Sequence, residues 1–374
     1  MHIQVMPKSP SHKQWSQLTL ACLLSLLASL ALFNWAVDPL WCFGHTRWLT
    51  TLQKPFNERH QKTNYLTFVN KGEYDALILG NSRTSLISQH ELGGMHAYNY
   101  ALSAMTPDEF REYLDYFKKT NGRPKTILMG IDFDYTNANM PLPAGRPEFY
   151  IKSAQSPLYR YRMLLTYDTF DYSRQNLTIG RYLERSKHGC GGILYDNHNL
   201  ARLLKPQDQA YRQQYIDREL AGLSTSFGTG YRYRDNLADS LRQIVRDNQG
   251  SRFIAFTTPV SKLFFCSFVK AGRLPEYRRW LREMVSVYGE VWNFQYLNSV
   301  TNDYADNYSD SHHFYPEIGT LVAHRITGVP DDKIPADFGT LVTRDNLEQH
   351  LAKVSADAEA CSELAFPAPP AKPQ

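Results

Sequence analysis

The chain has 374 residues, 43% hydrophobic and 13% aromatic, enough for a sizeable packed core and too apolar for a disordered protein. Its 41 basic and 37 acidic residues leave a formal charge of +4 and form no long run of one sign, which excludes nucleic acid as a partner. The 24 tyrosines beside many arginines suit sugars, carboxylates and phosphates, or simply cap the core.

The first element is a membrane helix. Residues 16–36 contain no charged side chain, and at about 1.5 Å per residue they span roughly the 30 Å of a bilayer core. Lys8 and Lys13 precede the run, Trp15 and Trp35 stand near its ends, and Asp38-Pro39 closes it. The positive-inside rule therefore puts residues 1–15 in the cytoplasm and the remaining chain outside. A cleaved signal peptide needs a shorter run and a small-x-small site, where Phe33, Asn34 and Trp35 stand instead. Cys22 lies inside the run, which argues against a lipoprotein. Outside the membrane stand Cys42, Cys190, Cys266 and Cys361, an even number whose pairing the sequence leaves open.

Residues 37–72 read as a membrane-proximal linker. An α/β rhythm then begins, with short apolar runs at 75–79, 126–130 and 253–257, as a parallel sheet covered on both faces requires. Further strands are predicted at 290–294 and 97–100. Thr106, Pro107 and Glu109 supply an N-cap, a first-position proline and a capping-box partner for a helix that carries Phe110, Tyr113, Leu114 and Phe117 and stops near Asn121-Gly122. Helices are predicted at 236–247, 275–287 and 316–326. From 134 to 234 the pattern dissolves into Tyr, Arg, Asn and Gly, too long for a loop, and reads as an insertion over the site. The expectation is one α/β domain over 73–350, a three-layer α/β/α sandwich around a mainly parallel sheet. A partly disordered tail over 351–374 follows it, Pro-rich after Glu363.

Two motifs carry chemistry. Leu79-Gly80-Asn81-Ser82-Arg83-Thr84 places a hydroxyl at a strand's carboxyl end, where ligands bind open α/β sheets; the plainer reading makes Ser82 a helix N-cap. Asp310-Ser311-His312-His313 precedes a helix at Pro316, and an Asp three residues before a His can hold the imidazole while its other nitrogen reaches a nucleophile. That spacing selects His313, with His312 as the alternative.

The two blocks resemble those of the SGNH (GDSL-type) hydrolase superfamily, a Gly-x-Ser turn after strand one and a late Asp-x-x-His. The resemblance covers residues 73–133 and 250–326 and omits the insertion. It implies a flavodoxin-like layered fold with Ser82 as nucleophile, His313 as general base and Asp310 as its orienter, transferring an acyl group through a covalent ester. Membrane-anchored relatives act in O-acetylation of exopolysaccharides such as alginate and in D-alanylation of teichoic acid. The resemblance therefore implies a bacterial cytoplasmic-membrane protein with a periplasmic or extracellular domain, acting without cofactor or metal. Its implied partners are an envelope polysaccharide or acyl-carrying substrate and a multispanning membrane acyltransferase.

The middle blocks depart from the pattern. Around Asn99, Ala101 stands where Gly is expected, and Asp132 stands for the Asn whose amide completes the oxyanion hole; losing such a donor costs about 2.7–4 kcal/mol. Arg83 is then a substitute electrophile, a clamp for an anionic substrate, or a counter-ion for Asp132. Two other functions stay open: a silent SGNH-like scaffold or polysaccharide-binding subunit, and a metal-dependent hydrolase using Asp132, Asp310, His312 and His313.

Overall fold

The computed structural model describes residues 11–44, 49–69, 72–140, 145–179 and 192–364. Lys8, Cys190 and the Pro-rich stretch from residue 365 lie outside them. Helix α1 (His12–Val37) starts at Ser11, which forms a capping box with Gln14. It is long and apolar enough to cross a membrane, and most of its side chains are exposed.

The segment expected as a linker is partly folded. Strand β1 (Leu52–Gln53) and helix α2 (Glu58–Phe68) follow α1. The buried residues of α2 are almost all polar, so the helix lacks the apolar stripe that marks a core-facing helix in sequence. Most of these polar side chains are held by a partner from elsewhere in the chain. Arg59 grips both oxygens of Glu109 at 2.9 and 3.0 Å, Lys62 donates to the Ala101 carbonyl at 2.6 Å, and Asn64 donates to the Leu40 carbonyl at 3.0 Å.

The main sheet is mixed and mostly parallel. Its strands β2 (Ala76–Leu79), β3 (Ala97–Asn99), β4 (Thr126–Gly130), β7 (Arg252–Phe256), β8 (Glu290–Asn293) and β9 (Thr340–Thr343) lie in the order β3-β2-β4-β7-β8-β9. Only β9 runs antiparallel, at the β8 edge. Ala76 pairs with Ala97 on one side and Thr126 on the other, so the strand order reverses at β2. Such a reversal splays the connections apart and opens a crevice at the strand's carboxyl end.

Alternation along β2 sorts its side chains into two apolar clusters. Leu77 and Leu79 join Phe110, Tyr113 and Phe117 of α4 (Pro107–Asn121), whereas Ala76 and Ile78 join Val322, Ala323 and Ile326 of the helix Pro316–Thr327.

Where the apolar period fades, between 134 and 234, the chain still forms helices: α5 (Pro147–Gln155), α6 (Tyr159–Met163), α7 (Tyr167–Leu177) and α8 (Gln209–Phe227). Strands β5 (Leu194–Asp196) and β6 (Ala201–Arg202) complete a small antiparallel sheet with β1. Residues 351–363 are no tail. The helix Leu347–Asp357 and a following 3-10 turn bury Leu351, Val354, Ala358 and Cys361, spaced three and four apart, and Cys361 is disulfide-bonded to Cys266. Cys42 is buried and unpaired, and Cys22 is exposed on α1.

Candidate active site

The turn after β2 is shaped by two glycines. A Cβ at Gly80 or at Gly130 would stand 2.2 Å from Thr84 Oγ1, so both strand ends must be bare for Thr84 to pack between them. The chain turns sharply into the short helix α3 (Ser82–Ser85), whose N-cap is Asn81, its side chain accepting the Arg83 N–H at 3.0 Å. Ser82 is therefore the first helical residue and not the cap.

Its partner arrives on a tight hairpin. The Ser309 N–H donates to His313 O and the Tyr315 N–H to Asn307 O, both at 2.9 Å, closing a loop that carries residues 310–313. The helix that follows, Pro316–Thr327, approaches the α3 turn so closely that a Cβ at Gly319 would stand 2.1 Å from Leu86 O. Helix α8 clamps the hairpin from the other side. Arg212 donates to the carbonyls of Tyr304, Tyr308 and Ser309 at 2.8, 2.6 and 3.3 Å, and Glu219 accepts the Ser311 N–H at 3.0 Å.

These supports bring together the three residues that the sequence motifs single out. Ser82 Oγ lies 2.8 Å from His313 Nε2, and His313 Nδ1 lies 2.7 Å from Asp310 Oδ2. Asp310 Oδ1 also accepts the N–H groups of His312 and His313 at 2.9 and 2.7 Å. Burial opposes its charge, but the two histidines and these bonds hold the Asp310 carboxyl far below the ordinary range. Burial likewise opposes charge on His313, and Asp310 with Glu219 outweighs it, raising the imidazole above its usual value. Burial, then Asp310, pushes Glu219 up to about 7. His312 is pulled down to about 3 by burial and by His313, and its Nδ1 turns to Ser311 Oγ at 3.0 Å. The spacing argument thus chose the histidine that bridges Ser82 and Asp310.

The remaining candidates are structural. Asp132 is wholly buried and accepts from four donors: Asn81 Nδ2 and Arg83 at 2.9 Å, the Thr258 N–H at 2.7 Å, and the Thr258 hydroxyl, which lies 2.9 Å from both carboxylate oxygens. It is the counter-ion of Arg83. Arg83 is neither a substrate clamp nor an electrophile, because it is buried between Asp132 at 2.9 Å and Asp134 at 2.6 Å. Burial opposes its charge and the two carboxylates reinforce it. Asn99 and Ala101 are not oxyanion donors either. The Asn99 amide donates to the carbonyls of Thr84 and Ile87, while its oxygen takes the Ala101 N–H at 3.0 Å.

Ser82 and His313 face a cleft of 540 Å³. Its wall combines apolar side chains, Phe56, Ile193, Leu194 and Leu203, with polar ones, Lys54, Ser103, Gln175 and Tyr215. None of these, nor Arg212 and Glu219, carries a motif. The one trace in sequence is that Arg212, Tyr215 and Glu219 share a face of α8 at spacings of three and four. Asp310, His312 and His313 can also bring one metal-binding atom each within 4.8 Å of one another. Comparison of the chain with protein-family models, with curated proteins and with solved structures gives no match.

Proposed function

We propose that the chain is a membrane-anchored, extracytoplasmic acyltransferase or esterase of SGNH type, acting on a cell-envelope or secreted polysaccharide. The supporting observation is the relay from Ser82 through His313 to Asp310, assembled from positions 231 residues apart at hydrogen-bond distances. His313 Nε2 takes the proton as Ser82 Oγ bonds to the acyl carbon, then returns it to the departing alcohol. A sugar hydroxyl or water next attacks the acyl-serine, again with His313 as base. The Ser82 N–H and the Ser103 hydroxyl are uncommitted among the described residues, and they suit the developing oxyanion.

The apolar lining of the cleft suits an acyl group and its polar lining a glycan hydroxyl. Two apolar clusters on opposite sides of a sheet whose parallel strands run in the order second, first, third, fourth, fifth support a three-layer, flavodoxin-like reading. A fluorophosphonate probe should label the protein at Ser82, and Ser82→Ala should abolish both labelling and release from a chromogenic acetyl ester. Absence of labelling with intact glycan binding would favour the second reading, a silent scaffold, to which the occupied Asn99 and Ala101 donors lend weight. Loss of ester release on chelation would instead favour a metal at Asp310, His312 and His313.

A further inference from the structure

Large exposed apolar side chains outside α1 are concentrated in one place. Among the described residues there are eight, and seven of them fall between Phe149 and Leu177, on α5, α6, α7 and their connections. Helix α7 is inverted for a helix in water: it buries Thr169, Ser173 and Asn176 and exposes Tyr167, Phe170 and Leu177. The same stretch, 146–177, carries five Lys and Arg against three Asp and Glu.

This surface joins the membrane helix at a defined depth. Phe170 meets Phe33 edge to face at 5.8 Å, and Asn34 donates to the Leu164 carbonyl at 2.9 Å. Both α1 residues belong to the apolar run, with Phe33 four residues before the helix end, a rise of about 6 Å. A side chain touching Phe33 shares its depth. Asn34 is the one amide in the outer half of that run, and the domain supplies the acceptor that lipid lacks.

We infer that α5, α6 and α7 seat the domain in the outer interface of the bilayer, with their exposed Leu, Phe and Tyr side chains among lipid headgroups and upper acyl chains. Aromatic rings with a polar tip favour that zone, and the cationic surplus favours anionic headgroups. The seat also fixes the Ser82 cleft at the membrane surface. Gln175 of α7 lines the cleft, Phe56 stacks on Tyr172 of α7 at 4.4 Å, and the Lys54 N–H donates to Asn176 at 3.1 Å. The inference rests on α1 spanning the bilayer and is independent of the chemistry at Ser82.

The test places a benzoylphenylalanine photo-crosslinker at Leu165, Tyr167, Leu26 or Tyr211 of the full chain, in nanodiscs of phosphatidylcholine and phosphatidylglycerol and in intact membranes. Lipid adducts at Leu165 and Tyr167 are expected within about threefold of Leu26, and about tenfold above Tyr211, the exposed aromatic on α8. Adducts of Leu165 and Tyr167 confined to another membrane protein would overturn the inference in favour of a protein partner. Lipid adducts at Leu26 alone would overturn it in favour of a solvated surface, and none even at Leu26 would remove the anchor on which it stands.

Discussion

Asp132→Asn separates two accounts of the site. In the SGNH pattern an Asn at this position is an oxyanion donor, so the substitution would add one, worth about 2.7–4 kcal/mol of barrier, or on the order of 100- to 1000-fold in rate. The packing around Asp132 demands the opposite. All four of its partners are donors: Asn81 and Arg83 on Oδ2, the Thr258 N–H on Oδ1, and the Thr258 hydroxyl within reach of both. An Asn oxygen turned toward Thr258 leaves its NH2 against Asn81 Nδ2 and Arg83, so two buried donors lose their acceptor at about 1–3 kcal/mol each. Arg83 keeps Asp134 as counter-ion, which holds the total near about 3–5 kcal/mol, the range for breaking a buried pair. At about 2–3 °C per kcal/mol for a domain of this size, the unfolding temperature of the detergent-solubilised chain should fall by about 6–15 °C. Ester hydrolysis should fall with it. An unfolding temperature within about 2 °C of the parent, together with hydrolysis raised about tenfold or more, would refute this reasoning and restore Asp132 to the oxyanion site.

Further outcomes follow from the same geometry. Protonated His313 cannot accept the Ser82 proton, so activity should rise with pH through a His313 value above the ordinary 6.5. Asp310→Asn should lower the rate by about 10⁴ and move this limb to lower pH, read from a pH–rate profile. Glu219→Gln should shift the limb the same way by less. Because the folded state holds the Glu219 proton up to about 7 against an ordinary 4.5, its contribution is present at low pH and lost as pH rises through 7. The stability of Glu219→Gln should therefore gain on the parent between those values, measured as unfolding temperature against pH. Gly319→Ala must push its helix away from Leu86 O, drawing His313 off Ser82; fluorophosphonate labelling should slow by about 10²-fold while circular dichroism stays unchanged. Cys361→Ser opens a link between positions 95 apart and should cost about 2–5 kcal/mol, with reductant destabilising the parent but not the variant in a thermal melt.

Local signals made much of the chain legible. Apolar runs ending in Gly80 and Gly130 marked β2 and β4, and the capping box at Thr106 and Glu109 marked the start of α4. Ser82 and the Asp310 and His313 pair could be named because each sits in a short segment whose chemistry and turn geometry are set by neighbours in sequence. Helix α2 could not be read, since its buried face is built of Glu58, Arg59, Gln61 and Lys62, whose partners lie elsewhere in the chain. Nor could α8, whose Arg212 and Glu219 matter only because the hairpin at 307–315 folds against them.

Sequence alone determined which side chains have the chemistry of nucleophile, base and carboxylate, and that a long uncharged helix precedes them. Tertiary structure decided which polar atoms are still available. Asn99, Ala101 and Arg83 carry donors that an oxyanion or substrate site could use, and the fold turns them to partners within the protein: Asn99 to the α3 turn, Ala101 to Asn99, and Arg83 to Asp132 and Asp134. A hydrogen-bonding group's identity is local, but its vacancy depends on every atom packed around it, because leaving a buried donor or acceptor unpaired costs about 1–3 kcal/mol and the fold pairs such groups where it can.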